Sequence, residues 1–281
     1  MQKASAQNVQ PQAQCSLAPG QGVIVQPLGG VPTEFYSGNV YPLVFSIIND
    51  GGADAVIKKV CISGISPDYI SEIRIGSTSG SGPCIETNIP LSGKKVIAGN
   101  IIPGNQTELE LTLDFKDLTS DYTATGVVDV VYQYSTDAFI EFCAASPISK
   151  QPACTPGEVR SICVSGGPIQ IQDVKVNCLP SGKVYVTIKL IANNIYTEGT
   201  VPKIQYEVST EGFGDVTPEC TPRNEITVGS DGTATIMCTI DLSKYQDSYK
   251  KGFIGKLKLH FIYDAESTYT FPVKVIYVPQ S

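Results

Sequence analysis

The strongest constraint on this chain is the two-residue period of its apolar side chains. Because successive side chains of a strand point to opposite faces, this period predicts half-buried β-strands rather than helices. The 26 Gly and 19 Pro residues include turn signals between these segments. Short strands at even spacing favour an all-β fold of antiparallel β-sandwiches. The predicted strand segments are Val40–Ile48, Glu108–Leu113, Gly126–Tyr134, Lys183–Ile191, Thr233–Ile240, Lys256–Tyr263 and Thr268–Val278.

The strand pattern occurs twice. Val40–Asp50 aligns without gaps to Val184–Asn194, and later in each half a glycine, Gly126 or Gly255, opens a strand that ends in tyrosine. Because the matches keep the same order, we predict a duplicated domain. A chain of 281 residues fits two domains of about 100–200 residues each. The predicted organisation is a polar arm over 1–20, a first sandwich over 21–145, a linker over 146–154 and a second sandwich over 155–281.

Composition argues against several classes of function. The formal charge of −7 and a pI near 4.8 argue against nucleic-acid binding, which needs Lys and Arg to neutralise phosphates. No apolar run reaches the ~18 residues of a transmembrane helix, so we expect no membrane-spanning segment. The single histidine, His260, falls on the solvent side of its predicted strand beside Lys258. No phosphate-binding glycine motif and no nucleophile–base constellation occur, so we predict that the protein is not an enzyme.

Nine cysteines are scattered along the chain without any C-x-x-C motif. This usage predicts disulfides in an oxidising compartment, and therefore an extracellular or cell-surface protein. The alternative is a reduced intracellular protein whose cysteines are buried as small apolar residues. The candidate bridges enclose short loops, namely Cys220 with Cys238 and Cys61 with Cys84.

A second group of cysteines lies at the predicted domain junction. Cys143, Cys154 and Cys163 cluster there, and a bridge involving Cys143 or Cys163 would limit motion between the domains. Because the number of cysteines is odd, one thiol is left over. Cys15 on the polar arm is a candidate for that spare thiol or for a bridge between chains.

Two further features concern modification and metal binding. Asp114, Asp117 and Asp121 cluster on a predicted corner loop, and their oxygens could bind Ca²⁺, the one candidate cofactor. The alternatives are an ordinary solvated loop or paired carboxylates for glycoside hydrolysis. Asn105 opens the only N-x-[ST] sequence, Asn105-Gln-Thr107, and is the candidate glycosylation residue.

The stretch Pro32–Gly38, followed by YPLVFSIINDGGADAVIKKVCISG, resembles the adhesion-type immunoglobulin-like repeats of archaeal and bacterial surface proteins. Cys154–Val176, together with Cys220–Cys238, resembles secreted archaeal proteins. The resemblance covers both halves as a pattern, although Asn193-Asn194 lacks the glycine pair that follows the equivalent turn in the first half. It implies two tandem immunoglobulin-like sandwiches, surface exposure and interaction, and it implies no chemistry.

These features predict a non-enzymatic extracellular structural or adhesion protein, such as a filament or surface-layer subunit. Its expected partner is a second copy, another surface protein or a glycan. The first 145 residues carry the whole net negative charge, whereas the second half groups basic residues that would favour head-to-tail contact. These basic residues are Lys250, Lys251, Lys256 and Lys258.

The alternative function is a carbohydrate-binding accessory module of a larger secreted protein. Such modules present aromatic side chains on a flat platform, often Trp, and this chain has no Trp but 14 Tyr. A tyrosine platform on one sheet face would support this function. Its candidate members are Tyr132, Tyr134, Tyr263 and Tyr269.

Overall fold

The computed structural model describes residues 17–197 and 201–279, and β-strands dominate it, which confirms the predicted all-β class. Its helical elements are α1 (Gln246–Lys251) and two 3-10 turns, Pro67–Tyr69 and Ser243–Tyr245. Within these residues no helix has the length and apolar character needed to cross a membrane. The strands are β1 (Val23–Pro27), β2 (Phe35–Tyr36), β3 (Val40–Asn49), β4 (Ala55–Ser63), β5 (Ile70–Ile75), β6 (Thr78–Gly80), β7 (Cys84–Leu91), β8 (Lys95–Ile97), β9 (Asn100–Ile102), β10 (Gln106–Asp114), β11 (Tyr122–Ala144), β12 (Val159–Val164), β13 (Ile169–Cys178), β14 (Lys183–Ala192), β15 (Lys203–Glu211), β16 (Glu219–Thr221), β17 (Glu225–Thr227), β18 (Thr233–Asp241) and β19 (Phe253–Ile276).

The strands form three main sheets and one separate hairpin. A central eight-stranded sheet has the order β17-β15-β19-β11-β4-β7, with β12 added beside β11 and β2 beside β19. A five-stranded sheet, β1-β3-β10-β5-β6, and a four-stranded sheet, β13-β14-β18-β16, complete the two sandwiches. Within the described residues, the hairpin of β8 and β9 pairs with none of these three sheets.

The centre of the molecule is a long antiparallel ribbon made by β11 and β19, which have 23 and 24 residues. Every residue from Tyr122 to Ala144 has a register partner in β19, and no bulge interrupts the pairing. At ~3.3 Å per residue the ribbon is about 75 Å long. One pair of strands therefore runs through both sandwiches.

One face of this ribbon is buried along most of its length. The buried positions are mainly even-numbered in β11 and odd-numbered in β19, as the two-residue period requires. The five-stranded sheet covers one half, where the ring of Phe45 lies 5.7 Å from that of Phe271. The four-stranded sheet covers the other half, where Ile140, Leu257 and Ile188 belong to the same fully buried core. The two small sheets thus lie side by side on one large sheet.

The predicted limit between the domains, residues 146–154, does not separate the sheets. The second half of β11 pairs with β12 and with the start of β19, and so belongs to the second sandwich. The second half of β19, after Tyr263, pairs with the start of β11 in the first sandwich. Strands of this length cannot end inside one sandwich, since a typical strand has only ~5–6 residues. The ranges 21–145 and 155–281 therefore divide the sequence into two parts, but the central sheet contains strands from both parts in each sandwich.

The sequence repeat has a structural counterpart. The aligned segments form β3 and β14, which occupy the second position of their sheets, next to β1 and β13 respectively. The repeat-related Tyr134 and Tyr263 are register partners in the ribbon. Gly126 and Gly255 lie eight residues before these tyrosines, at opposite ends of the ribbon. The two halves are therefore related by an approximate twofold axis through the tyrosine pair.

Both repeat glycines leave room for an aromatic ring on the ribbon backbone. A Cβ atom added at Gly126 would lie 2.4 Å from the Phe271 ring, and one at Gly255 would lie 2.2 Å from the Phe213 ring. Both phenylalanines are buried. Packing against these rings therefore requires glycine at both positions.

We expect Gly126→Ala and Gly255→Ala each to lower the free energy of unfolding by about 1–3 kcal/mol, because the added methyl group overpacks a filled core. Denaturant titration followed by circular dichroism measures the change. Thr125→Val, on the exposed face of β11, is the matched control and should stay within about 0.5 kcal/mol of wild type. Wild-type stability of both alanine variants would contradict this packing.

Candidate functional site

Two of the three aspartates considered as calcium ligands accept hydrogen bonds from backbone N–H groups. Asp114 accepts a hydrogen bond of 2.9 Å from the backbone N–H of Lys116. Asp121 accepts one of 2.7 Å from the backbone N–H of Tyr277, just after β19. Asp117 is exposed. The described residues bring together no group of three or more His, Cys, Asp or Glu side chains that could hold a metal ion.

Two disulfides join residues that lie directly opposite each other in neighbouring strands. Cys61 on β4 bonds Cys84 on β7, and Cys220 on β16 bonds Cys238 on β18. Each pair is also a register pair of its sheet. Both bridges match the pairings suggested by the short loops in the sequence. In the chain-entropy model, closing loops of this size contributes roughly 3 kcal/mol to stability.

A disulfide forms within the predicted group of junction cysteines, and both candidates, Cys143 and Cys163, are disulfide-bonded. Cys143, near the end of β11, bonds Cys154, with a Cα–Cα distance of 5.9 Å. Cys163 is also disulfide-bonded, but its register partner on β11 is Phe139. Phe139 lies four residues before Cys143, or ~13 Å along the strand, whereas a bridge spans at most ~7 Å between Cα atoms. The strand register therefore separates Cys143 from Cys163.

One cysteine of the described residues carries a free thiol. Cys178 at the end of β13 is buried, and its Sγ lies 3.7 Å from the carbonyl oxygen of Cys143. Cys15, the candidate for the spare thiol, lies outside the described residues. The free thiol of the core is thus one that the sequence did not single out.

The single histidine takes part in an ion-pair geometry on the outer face of the ribbon. The Nδ1 atom of His260 lies 2.7 Å from Oδ1 of its register partner Asp137. Both side chains are partly exposed. Partners that face each other across a strand pair in this way are a common surface feature of sheets. This position agrees with the solvent-facing role predicted for His260.

Two lysines of the predicted basic patch are paired within the chain. Lys256 lies 3.1 Å from Glu141, and Lys258 lies 2.5 Å from Glu211. The other two, Lys250 and Lys251, lie on α1. Half of the patch is therefore neutralised, which weakens the argument for head-to-tail contact by charge.

The four tyrosines considered as a glycan platform are core residues. Tyr132, Tyr134 and Tyr263 are almost fully buried on the inner face of the ribbon. Tyr269 is half-buried, with its ring 5.8 Å from that of Phe45. Tyr132 and Tyr134 have even numbers in β11, and Tyr263 and Tyr269 have odd numbers in β19, so all four point to the covered face of the ribbon. The platform expected for carbohydrate binding is therefore not formed by these side chains.

The hydroxyl of Tyr134 instead joins loops from both sandwiches. It donates a hydrogen bond of 2.6 Å to the carbonyl oxygen of Gly166 and accepts one of 3.1 Å from the N–H of Ala53. The N–H of Gly166 in turn donates to the carbonyl of Ala18, before β1. A Cβ atom at Gly51 would lie only 1.8 Å from the hydroxyl, so this close approach requires glycine.

The neighbouring tyrosines extend this junction. The hydroxyls of Tyr263 and Thr136 lie 2.6 Å apart in the core. The hydroxyl of Tyr132 faces the backbone of Val23 on β1, and that of Tyr263 faces the backbone of Ile169 on β13. Burial raises the pKa of Tyr132 to about 12 and also raises the pKa of Tyr134 and Tyr263. The buried hydroxyls of the ribbon thus face both covering sheets.

A polar cleft of about 540 Å³ opens beside this junction. Four amide side chains and a carboxylate line it, namely Gln21, Gln170, Asn193, Asn194 and Glu266. Burial, and secondly the charge of Asp129, raises the pKa of Glu266. Amides both donate and accept hydrogen bonds, so the cleft suits a neutral polar ligand. Its members come from distant segments, which explains why no sequence motif revealed it.

Asn105, the candidate glycosylation residue, is exposed at the base of the β8–β9 hairpin. Its N–H donates a hydrogen bond of 2.8 Å to the carbonyl of Ser92, and its carbonyl accepts one of 2.9 Å from Asn49. The backbone is therefore held while the residue faces solvent. Glycosylation at this position stays a prediction.

Comparisons with known proteins assign neither a family nor a function. No family model and no curated protein matches the sequence. Among solved structures, the chain is similar to the PapD-like domain 7 of human CEP192, with 13% identity over 46% of this chain and 83% of that chain, at a TM-score of 0.21. The secreted serine protease VesC from Vibrio cholerae matches at 7% identity over 91% and 52%, with a TM-score of 0.21. The collagen adhesin from S. aureus matches at 10% identity over 94% of each chain, with a TM-score of 0.12.

We expect Tyr134→Phe to lower the free energy of unfolding by about 1–3 kcal/mol, because the N–H of Ala53 loses its hydrogen-bond partner and the carbonyl of Gly166 keeps only its bond from Gly52. Chemical denaturation measures the loss. Tyr269→Phe, at a half-buried position of the same face, is the control and should cost less than about 0.5 kcal/mol. Equal losses for the two variants would contradict the role given to the Tyr134 hydroxyl.

The buried tyrosines also predict alkaline instability. Each has a pKa raised above its unfolded value of ~10, so the unfolded chain releases these protons first as the pH rises. Stability is therefore full below pH ~10 and falls between pH ~10 and 12, by up to ~1.4 kcal/mol per pH unit for each tyrosine. Thermal melts across this range measure the slope, and Tyr132→Phe should reduce it. A flat profile to pH 12 would contradict the burial of these hydroxyls.

Proposed function

We propose that this chain is a non-enzymatic extracellular structural subunit that associates with itself, as in a filament or surface layer. The unbroken β11–β19 ribbon carries this proposal. Because the same two strands run through both sandwiches, the sandwiches cannot hinge at residues 146–154 without breaking the ladder. A stiff body of this kind suits a repeating unit that must keep its shape under load.

The disulfides support an extracellular location. The bridges Cys61–Cys84, Cys143–Cys154 and Cys220–Cys238 are of a kind that forms and persists in oxidising compartments. The sequence resemblance to archaeal and bacterial surface repeats points the same way. Surface placement and an adhesion role are therefore parts of this proposal.

The chemistry of the chain supports a role without catalysis. Paired polar side chains occupy the outer face of the central sheet, including the hydrogen bond of His260 to Asp137 at 2.7 Å and the ion pair of Lys58 with Asp264 at 2.8 Å. These exposed pairs contribute little stability each, about 0–1 kcal/mol. A sheet face covered in paired charges resists stacking on a like face, so association should use other surfaces of the molecule.

A second candidate function is ligand binding, with a carbohydrate as the expected ligand class. The amide-lined cleft at the junction favours it, since its side chains can satisfy hydroxyl groups as donors and acceptors. Tyr132, Tyr134 and Tyr263 are buried, so they do not form an exposed aromatic platform beside the cleft. A glycan array tests this candidate, and an array without any signal would remove it.

We expect negative-stain electron microscopy of the native protein to show ordered filaments or sheets. Comparison with and without reductant separates non-covalent association from disulfide bridges between chains. Dispersed two-lobed monomers at every concentration, confirmed by light scattering, would contradict self-association and leave the ligand-binding candidate.

A further inference from the structure

The hairpin of β8 and β9 carries four exposed aliphatic side chains. Val96, Ile97, Ile101 and Ile102 are 38%, 56%, 56% and 45% exposed. Each of residues 95–103 is exposed, and among residues 17–197 and 201–279 the two strands pair only with each other. Because neighbouring side chains alternate, Val96 and Ile97 point to opposite faces of the hairpin. Both of its faces are therefore apolar.

The hairpin lacks the partner that such an element normally needs. A two-stranded sheet with three residues in each strand is marginally stable in water, and exposed apolar patches mark interaction sites. Its base is nevertheless fixed to the body of the protein. The N–H of Lys94 donates to the carbonyl of Gly51 at 2.7 Å, and that of Asn105 to Ser92 at 2.8 Å. The hairpin is therefore presented from the junction of the sandwiches.

The same chain offers an apolar cavity of about 740 Å³. Its aliphatic lining comes from residues 192–195 at the end of β14, from residues 201–202 just before β15, and from the start of the β17–β18 turn. Val201 is 55% exposed and belongs to this lining. The volume lies within the ~300–1,000 Å³ range of pockets that bury a ligand. The main apolar members are Ala192, Ile195, Val201, Pro202 and Val228.

Charges beside the two surfaces are complementary. Lys95 opens the hairpin, is exposed, and has no ion pair among the described residues. Asp231 lies in the turn whose neighbours Gly229 and Gly232 line the cavity. It accepts hydrogen bonds from the hydroxyl and the N–H of Thr233, which hold its pKa below the ordinary value, so it is ionised at neutral pH.

The hairpin and the cavity lie on opposite flanks of the molecule. The hairpin follows β7, and β7 lies on the β11 side of the ribbon. The cavity lies beside β15 and β17, which are on the β19 side. A contact between two different surfaces on opposite flanks is heterologous, and it repeats from copy to copy when the rotation does not close a ring.

We propose that the β8–β9 hairpin of one copy docks into the apolar cavity of the next copy, with Lys95 beside Asp231. This inference rests on the proposed self-association and names its contact. Ile97 and Ile101 lie on opposite faces of the hairpin, so the hairpin enters the cavity end-on with an apolar side chain on each face. The charged pair fixes the direction of entry. A single interface of this kind would cover both the exposed hairpin and the open cavity.

The first test measures self-association of the full chain by sedimentation velocity over a range of concentrations. We expect Ile97→Ser with Ile101→Ser to raise the midpoint concentration of association at least ~tenfold, since a few buried apolar anchors dominate an interface. Ile148→Ser is the control, because this side chain is 74% exposed and lies outside both surfaces. Unchanged circular dichroism would show that all variants remain folded.

The second test uses the fact that the proposed contact joins two different surfaces, the hairpin of one copy and the cavity of the next. A hairpin variant, Ile97→Ser with Ile101→Ser, keeps its cavity, whereas a cavity variant, Val201→Asp, keeps its hairpin. At the midpoint concentration of wild-type association each variant alone should be monomeric, and their mixture should form a 1:1 dimer that grows no further. Lys95→Asp should weaken association, and Asp231→Lys on the partner copy should restore it.

The outcomes separate this inference from the proposed function. A wild-type protein that stays monomeric at every concentration would overturn self-association itself. Wild-type assembly that the hairpin substitutions leave unchanged would overturn the docking contact alone. A cavity variant that still dimerises would show hairpin-to-hairpin pairing instead. Binding of the wild-type monomer to phosphatidylcholine–phosphatidylglycerol vesicles, lost in the hairpin variant, would assign the hairpin to a lipid surface.

Discussion

The register between β11 and β19 is the constraint on which the rest of the structure depends. It determines which side chains of the ribbon face the core and which form ion pairs in water. A slip of one residue would turn the whole buried set toward solvent, so the burial of one face specifies the pairing. The covering sheets, the added strands β4 and β15, and the approximate twofold axis through Tyr134 and Tyr263 all follow from this ladder.

The junction between the sandwiches is polar at its centre, and this distinguishes it from a simple apolar contact. Buried hydroxyls need partners. Tyr134 finds them in the loops at Ala53 and Gly166, and Tyr263 finds one in the hydroxyl of Thr136. Directional bonds of this kind allow only one arrangement of the loops. Gly51 and Gly166 permit the close approach that the bonds require. The stiffness proposed for the molecule therefore has two sources, the ribbon and this hydrogen-bonded junction.

The outer surface divides into regions of different chemistry. The outer face of the ribbon carries paired charges, the cleft beside the junction carries amides, and the β8–β9 hairpin carries aliphatic side chains. Paired charges on the exposed sheet prevent unspecific stacking, which is a general problem of β-proteins. The proposed association uses the apolar hairpin, and the proposed ligand recognition uses the cleft. The two proposed functions therefore concern separate surfaces and do not exclude each other.

The sequence by itself determined the all-β class and the repeat, and it offered as candidates two disulfides that the structure contains, Cys61–Cys84 and Cys220–Cys238. These depend on the two-residue period and on short loops, which are local properties of the chain. The tertiary structure alone decided that β11 and β19 each run through both sandwiches, that Cys143 bonds Cys154 and not Cys163, and that the tyrosines face inward as a junction. The cleft and the cavity also needed the fold, because their residues come from segments far apart in sequence. The physical reason is the same in each case: pairing between distant strands sets register and burial, and local pattern does not encode which distant strand will be the partner.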